Sequence, residues 1–136
     1  MIYSCHFLPW PVPRRVKIFR TVLAVLMLAF AFVQLNDPDG LVWMLVYGAV
    51  AVALVLSAWA AGVLAAGPGR LATVVLVLGL AAMLVTHWPA ESGFWRQDVW
   101  WQSETAREGM GLGIAFAASL FVLPAAFGGN GRQPIA

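Results

Sequence analysis

The chain has 136 residues, 62% of them apolar and only 10% charged, with a net charge of +2. A soluble domain carries about 25% charged residues, so this composition excludes an ordinary water-soluble globule and points to the bilayer as solvent. One cysteine, Cys5, excludes an intrachain disulfide, and nothing in the charge balance points to a nucleic-acid partner.

In chain order, residues 1–13 hold three prolines and are expected to be irregular. The first apolar run, residues 16–35, opens on Arg14, Arg15, Lys17 and Arg20. It is long enough to span, since about 20 helical residues cross about 30 Å of hydrocarbon. It lacks a small-x-small cleavage site before Gln34, which argues against a cleaved signal peptide. Asp37-Pro38-Asp39-Gly40 then reads as a tight turn, with proline suited to a first helical turn and aspartate to the cap before it. The second span, residues 41–66, is the longest and therefore free to tilt. Gly67-Pro68-Gly69 reads as a second turn. A third span follows over residues 71–88, with His87 and Trp88 in the headgroup layer.

The third connection is long and mixed. Its stretch from Phe94 to Gln102 has the character of a short aromatic helix lying in the interface. The fourth span covers residues 108–127, with Pro124 placed to kink or end it, and residues 128–136 form a flexible tail. The expected fold is an all-α membrane protein: one domain over residues 1–136, a four-transmembrane-helix bundle with a short interfacial aromatic segment between helices 3 and 4. Gly109-xxx-Gly113 and Gly62-xxx-Ala66, with Gly79, are placed to allow close helix approach.

Four spans put the first-span bases, Arg70 and Arg132 on one side, which the positive-inside rule assigns to the cytoplasm with both termini. The expected location is the cell membrane, the inner one in a bacterium. Only Arg96 and Arg107 fall on the opposite side. All six acids, Asp37, Asp39, Glu91, Asp98, Glu104 and Glu108, fall there too.

Each polar group on that outer side has a plain structural account and a functional one. Trp88, Trp95, Trp100 and Trp101 suit an aromatic belt. Asn36, Asp37 and Asp39 suit a turn and a cap. Asp39, Trp43 and Tyr47 are spaced i, i+4, i+8 and line one helix face. Glu104 and Glu108 are one turn apart and repel unless Arg107 or a bound cation lies between them; helix-dipole stabilisation and a Thr105–Glu108 capping box are the structural alternative. Gln34 sits inside the end of the first span, where an unpaired amide is costly and turns inward. His87 is an interfacial anchor or, with Asp37, Asp39, Glu104 and Glu108, a ligand for an oxygen-preferring divalent cation. No other cofactor is indicated.

Phe32-Val33-Gln34-Leu35-Asn36-Asp37-Pro38-Asp39, followed by Trp43 and Tyr47, resembles the transmembrane protein 220 family. Glu104-x-x-Arg107-Glu108, leading into Gly109, Gly111 and Gly113, is similar to that family's second recurring block, and the likeness extends over residues 20–121. The resemblance implies a small multi-pass membrane protein with these two blocks as its signature, and implies no reaction or ligand.

The functional expectation is a polar, acidic site at the extracytoplasmic mouth of the bundle. It would be built from Gln34, Asn36, Asp37, Asp39, Trp43, Tyr47, His87, Glu104, Arg107 and Glu108, and would bind a cation or a small polar or lipid ligand. The alternative is a structural or accessory subunit that docks a membrane-protein partner, or a second copy, through the aromatic segment. A membrane enzyme, with a carboxylate base and His87 as its partner, ranks third.

Overall fold

A computed structural model describes residues 12–128; the irregular segment expected over 1–13 and the tail expected over 128–136 lie almost wholly outside them. The described chain is helical without strands: α1 Arg14–Val33, α2 Gly40–Trp59, α3 Ala61–Ala65, α4 Gly67–Thr86, α5 Gln97–Trp100, α6 Glu104–Leu120 and α7 Leu123–Phe127. A 3₁₀ turn, Gln34–Asn36, continues α1. Four stretches are long and apolar enough to cross a membrane: Arg14–Asn36, Gly40–Trp59, Gly67–Thr86 and Glu104–Phe127.

α1 and α2 form an antiparallel hairpin, α4 packs along α6, and α2 touches both pairs. The core follows helical periodicity. Arg20, Ala24, Met27 and Ala31 make the buried stripe of α1. Trp43, Tyr47, Val50, Leu54 and Ser57 make that of α2, the most enclosed helix. Leu112, Ala115 and Ala118 close the core from α6. The opposite faces carry Val22, Val75 and Leu78, each more than 60% exposed. Such a surface is costly in water and neutral in lipid, so the bilayer is the environment this fold requires.

Three expectations about element ends are revised. The second apolar run, residues 41–66, is not one helix: Ala60 adopts φ −139°, ψ 45°, and the short α3 follows. Gly67-Pro68-Gly69 is not a loop but the first turn of α4, where proline's missing N–H is no loss. The fourth span begins at Glu104 and is interrupted after Leu120; Pro124 then lies in the first turn of α7. The small-residue motifs also divide. A Cβ on Gly109 would sit 2.6 Å from the His87 carbonyl oxygen, so α6 passes hard against the end of α4 there. Gly62 and Gly79 face open space, and Gly113 meets its nearest neighbour only at 4.0 Å.

Alternation of the four spans gathers the six acids at one end. At the other end arginines tie helices through carbonyls. Arg20 Nη1 donates to Ser57 O at 2.7 Å, and Arg70 Nε donates to Ala126 O at 3.0 Å. Lys17 lies 5.0 Å over the Trp59 ring, whose N–H donates to Thr21. Ser57, Thr73 and Ser119 satisfy their hydroxyls on carbonyls of their own helices.

Candidate functional site

The acidic end is built by three convergent pieces of chain. The α1–α2 turn folds back tightly, with Asp37 N donating to Gln34 O and Gly40 N donating to Asp37 O. Gly40 is required there, because any Cβ would run into the Gln34 carbonyl. Asp39 occupies the N-cap position of α2 yet makes no side-chain cap bond. Its Oδ2 instead accepts the Trp43 indole N–H at 2.7 Å, one turn along the helix. The capping role expected for Asp39 is thus replaced by a bond that aims its carboxylate.

The N-terminus of α6 is capped by Ser103, whose Oγ accepts from Ala106 N at 3.2 Å. The expected Thr105–Glu108 capping box does not form, and Glu108 is left free to face inward. Ser103 also donates to Glu91 Oε1 at 2.7 Å, which fastens the long connection to α6. That hydrogen bond, with a smaller contribution from Glu91's own backbone N–H, holds the Glu91 carboxyl below the usual carboxylate range.

Carboxylate oxygens of Asp39, Glu104 and Glu108 lie within 4.8 Å of one another. Two helices distant in sequence therefore bring three negative groups to one point. Arg107, expected as a possible counter-ion for Glu104, donates from Nη1 to Trp101 O at 3.0 Å instead. The ion pair formed among the described residues at this end is Arg96–Asp98, at 2.8 Å on the exposed face of the connection.

Beside the carboxylates, a cleft of about 660 Å³ opens between α1 and α6. Gln34, Asp37, Glu104, Arg107 and Glu108 line its polar part, with Trp100 and Trp101 over it. Tyr47 of α2 forms its floor, and Phe30, Met110 and Ile114 its apolar part. Tyr47 is fixed by stacking on Trp43, centroids 6.3 Å apart, and by the edge of Phe30 at 5.6 Å. The absence of a side chain at Gly111 leaves room for its hydroxyl.

Two expected site residues stand apart. Asn36 is exposed and does not line the cleft. His87 ends α4 with Nδ1 3.1 Å from Met83 O and 3.0 Å from Thr86 Oγ1, and it does not join the carboxylate group. It supports that group indirectly, its ring lying edge-on to Trp43 at 5.7 Å. Of the residues expected as metal ligands, Asp39, Glu104 and Glu108 converge, whereas Asp37 lines the cleft and His87 braces Trp43. The sequence reading missed the roles of Trp100, Trp101, Phe30 and Gly111. The i, i+4 step from Phe30 to Gln34 placed Phe30 on the same face, but only folding brings that face opposite α6.

The aromatics at the acidic end suit a headgroup layer. Trp88, Trp95 and Trp101 are 58–69% exposed, and Trp88 and Trp95 each pack against Phe94. The interfacial helix expected over residues 94–102 is reduced to the single turn of α5.

Four apolar helices, lipid-compatible outer faces and a polar cluster confined to one end define a polytopic helical membrane protein. The family described as "Transmembrane family 220, helix" matches residues 26–123, and the chain belongs to it. No curated protein and no solved structure matches the chain.

Proposed function

We propose that this protein is a binding module of the cell membrane. Its termini lie in the cytoplasm, and its extracytoplasmic mouth accepts a positive charge, carried by a divalent cation or by a small polar or lipid ligand. The observation that carries this reading is the convergence of Asp39, Glu104 and Glu108 within 4.8 Å, with no ion pair made by any of them among the described residues. Two unit charges 4 Å apart repel by about 1 kcal/mol in water and by about 4 kcal/mol at an effective dielectric constant of 20. An all-oxygen set of this kind suits magnesium, calcium or manganese among metals. The third-ranked reading, a membrane enzyme with His87 as acid/base partner, is left with Nε2 alone, since Nδ1 lies against Met83 O and Thr86 Oγ1.

Isothermal titration of the purified protein with magnesium, calcium and manganese tests the reading. The expected outcome is saturable binding that is lost in Glu104→Gln and in Glu108→Gln. Without cation, either substitution should raise the unfolding midpoint by relieving repulsion. Absence of binding, together with lowered midpoints in both variants, overturns the proposal. Cysteine accessibility at positions 37 and 70 tests the orientation: position 37 should react from outside the cell and position 70 should not.

A further inference from the structure

We infer that the occupant of this mouth is a zwitterionic amphiphile, carrying an ammonium and a phosphate group on hydrocarbon chains, which enters sideways between α1 and α6. The inference rests on the binding reading above and adds the chemical class of the ligand.

The cleft is graded along its length. On α6, Glu104, Arg107 and Glu108 stand at the outer end, and Ile114 lies on the same wall ten residues from Glu104, about 15 Å further along the helix axis. Phe30 and Val33 face them from α1. The volume, about 660 Å³, falls within the roughly 300–1,000 Å³ of small-molecule sites. Val33 is 65% exposed and Ile114 40%, so the apolar end is open to the lipid side. A bare cation occupies only the polar end of such a space.

Tyr47 supplies an independent observation. It is 2% exposed, it faces the cleft, and its hydroxyl makes no hydrogen bond among the described residues. The hydroxyl is therefore left to the cleft, and hydrocarbon offers no water to take its hydrogen bond. The hydroxyl sits between the charged and the apolar ends, at the level where a phospholipid carries glycerol and ester oxygens. Those oxygens are the acceptors it lacks.

Charge complementarity selects the head. Glu104, Glu108 and Asp37 suit an ammonium, a charge that indole rings such as those of Trp100 and Trp101 at the cleft also attract. Arg107 commits one N–H to Trp101 O, and a guanidinium has five, so donors remain for a phosphate. An anionic phospholipid satisfies Arg107 but sets its charge against the carboxylates. A zwitterionic one satisfies both.

Native mass spectrometry of the detergent-purified protein, offered equimolar phosphatidylethanolamine and phosphatidylglycerol, tests this. One phosphatidylethanolamine should be retained at least about tenfold over phosphatidylglycerol, a difference of about 1.4 kcal/mol. Glu108→Gln should abolish the preference. Tyr47→Phe should weaken retention of either lipid. Ile114→Trp fills the apolar end and should release the lipid. If Ile114→Trp fails to fold, Val33→Trp on the opposite wall serves instead. Equal retention of the two lipids overturns the inference, as does binding of chain-free glycerophosphoethanolamine as tight as that of the lipid. Cation binding without lipid preference overturns the lipid inference alone, whereas loss of both also removes the binding reading.

Discussion

Tyr47 is held by its ring and not by its hydroxyl. Trp43 stacks on it, Phe30 meets it edge-on, and the backbone of α6 passes close at Gly111. Two substitutions separate these contributions. Tyr47→Phe keeps the ring and removes a group that makes no hydrogen bond, so unfolding free energy should change by less than about 0.5 kcal/mol. Gly111→Ala drives a methyl group into the tyrosine hydroxyl and should cost about 1–3 kcal/mol, the usual penalty of overpacking. Thermal melts in one detergent compare them directly; a large loss in Tyr47→Phe would mean that the hydroxyl has a protein partner. The same residue-scale logic applies to Asp39. Its identity suits a cap, yet the indole four residues on is the better-placed donor, and that bond turns the carboxylate toward α6. Spacing alone placed Asp39, Trp43 and Tyr47 on one face. It could not decide between two donors competing for one oxygen.

At the scale of elements, the connection between α4 and α6 is fastened chiefly at Glu91. Its carboxylate accepts from Ser103, the same residue that caps α6, so loop closure and helix start share one hydroxyl. A carboxyl whose folded pKa is depressed stabilises the fold above its unfolded pKa, about 4.3, and this contribution disappears as pH falls through the lower folded value. Hydrogen exchange at α5 and at the first turn of α6 should therefore accelerate below pH 4 in the wild type. Glu91→Gln should exchange faster already at pH 7, with a flatter acid limb; an unchanged profile would show that the Glu91–Ser103 bond does not hold the loop. The helix breaks belong to this scale as well. Hydropathy joined residues 41–66 into one span because the apolar run has no charged residue in it. The turn at Ala60 comes instead from the end of α2, where α3 bends back to pack on α4 and α7.

At the scale of the whole molecule, charge is sorted end from end. One end holds the acids and the cleft, and the other is closed by arginines that donate to carbonyls across helix pairs. Arg20 is 6% exposed and ties α1 to the last turn of α2. Arg20→Met keeps the length of the side chain and removes that charged donor. It should lower stability by about 1–3 kcal/mol while leaving cation titration at the far end unaltered. Loss of binding in this variant would show that the two ends are coupled through the α1–α2 hairpin.

The sequence by itself determined the solvent, the number of spans and the segregation of acids, because burying apolar helices in lipid and counting charges between them need no three-dimensional information. It also drew together most residues of the acidic mouth, through the turn at 34–40 and the helix start at 104–108. Tertiary structure alone decided which of them meet. Asp39, Glu104 and Glu108 converge because α2 and α6 share a core at Tyr47 and Gly111, whereas His87 is drawn off to brace Trp43 and Asn36 stays outside. The cleft has the same origin. It exists because α1 and α6 both pack on α2 without closing on each other, and no periodicity within a single helix records the gap between two.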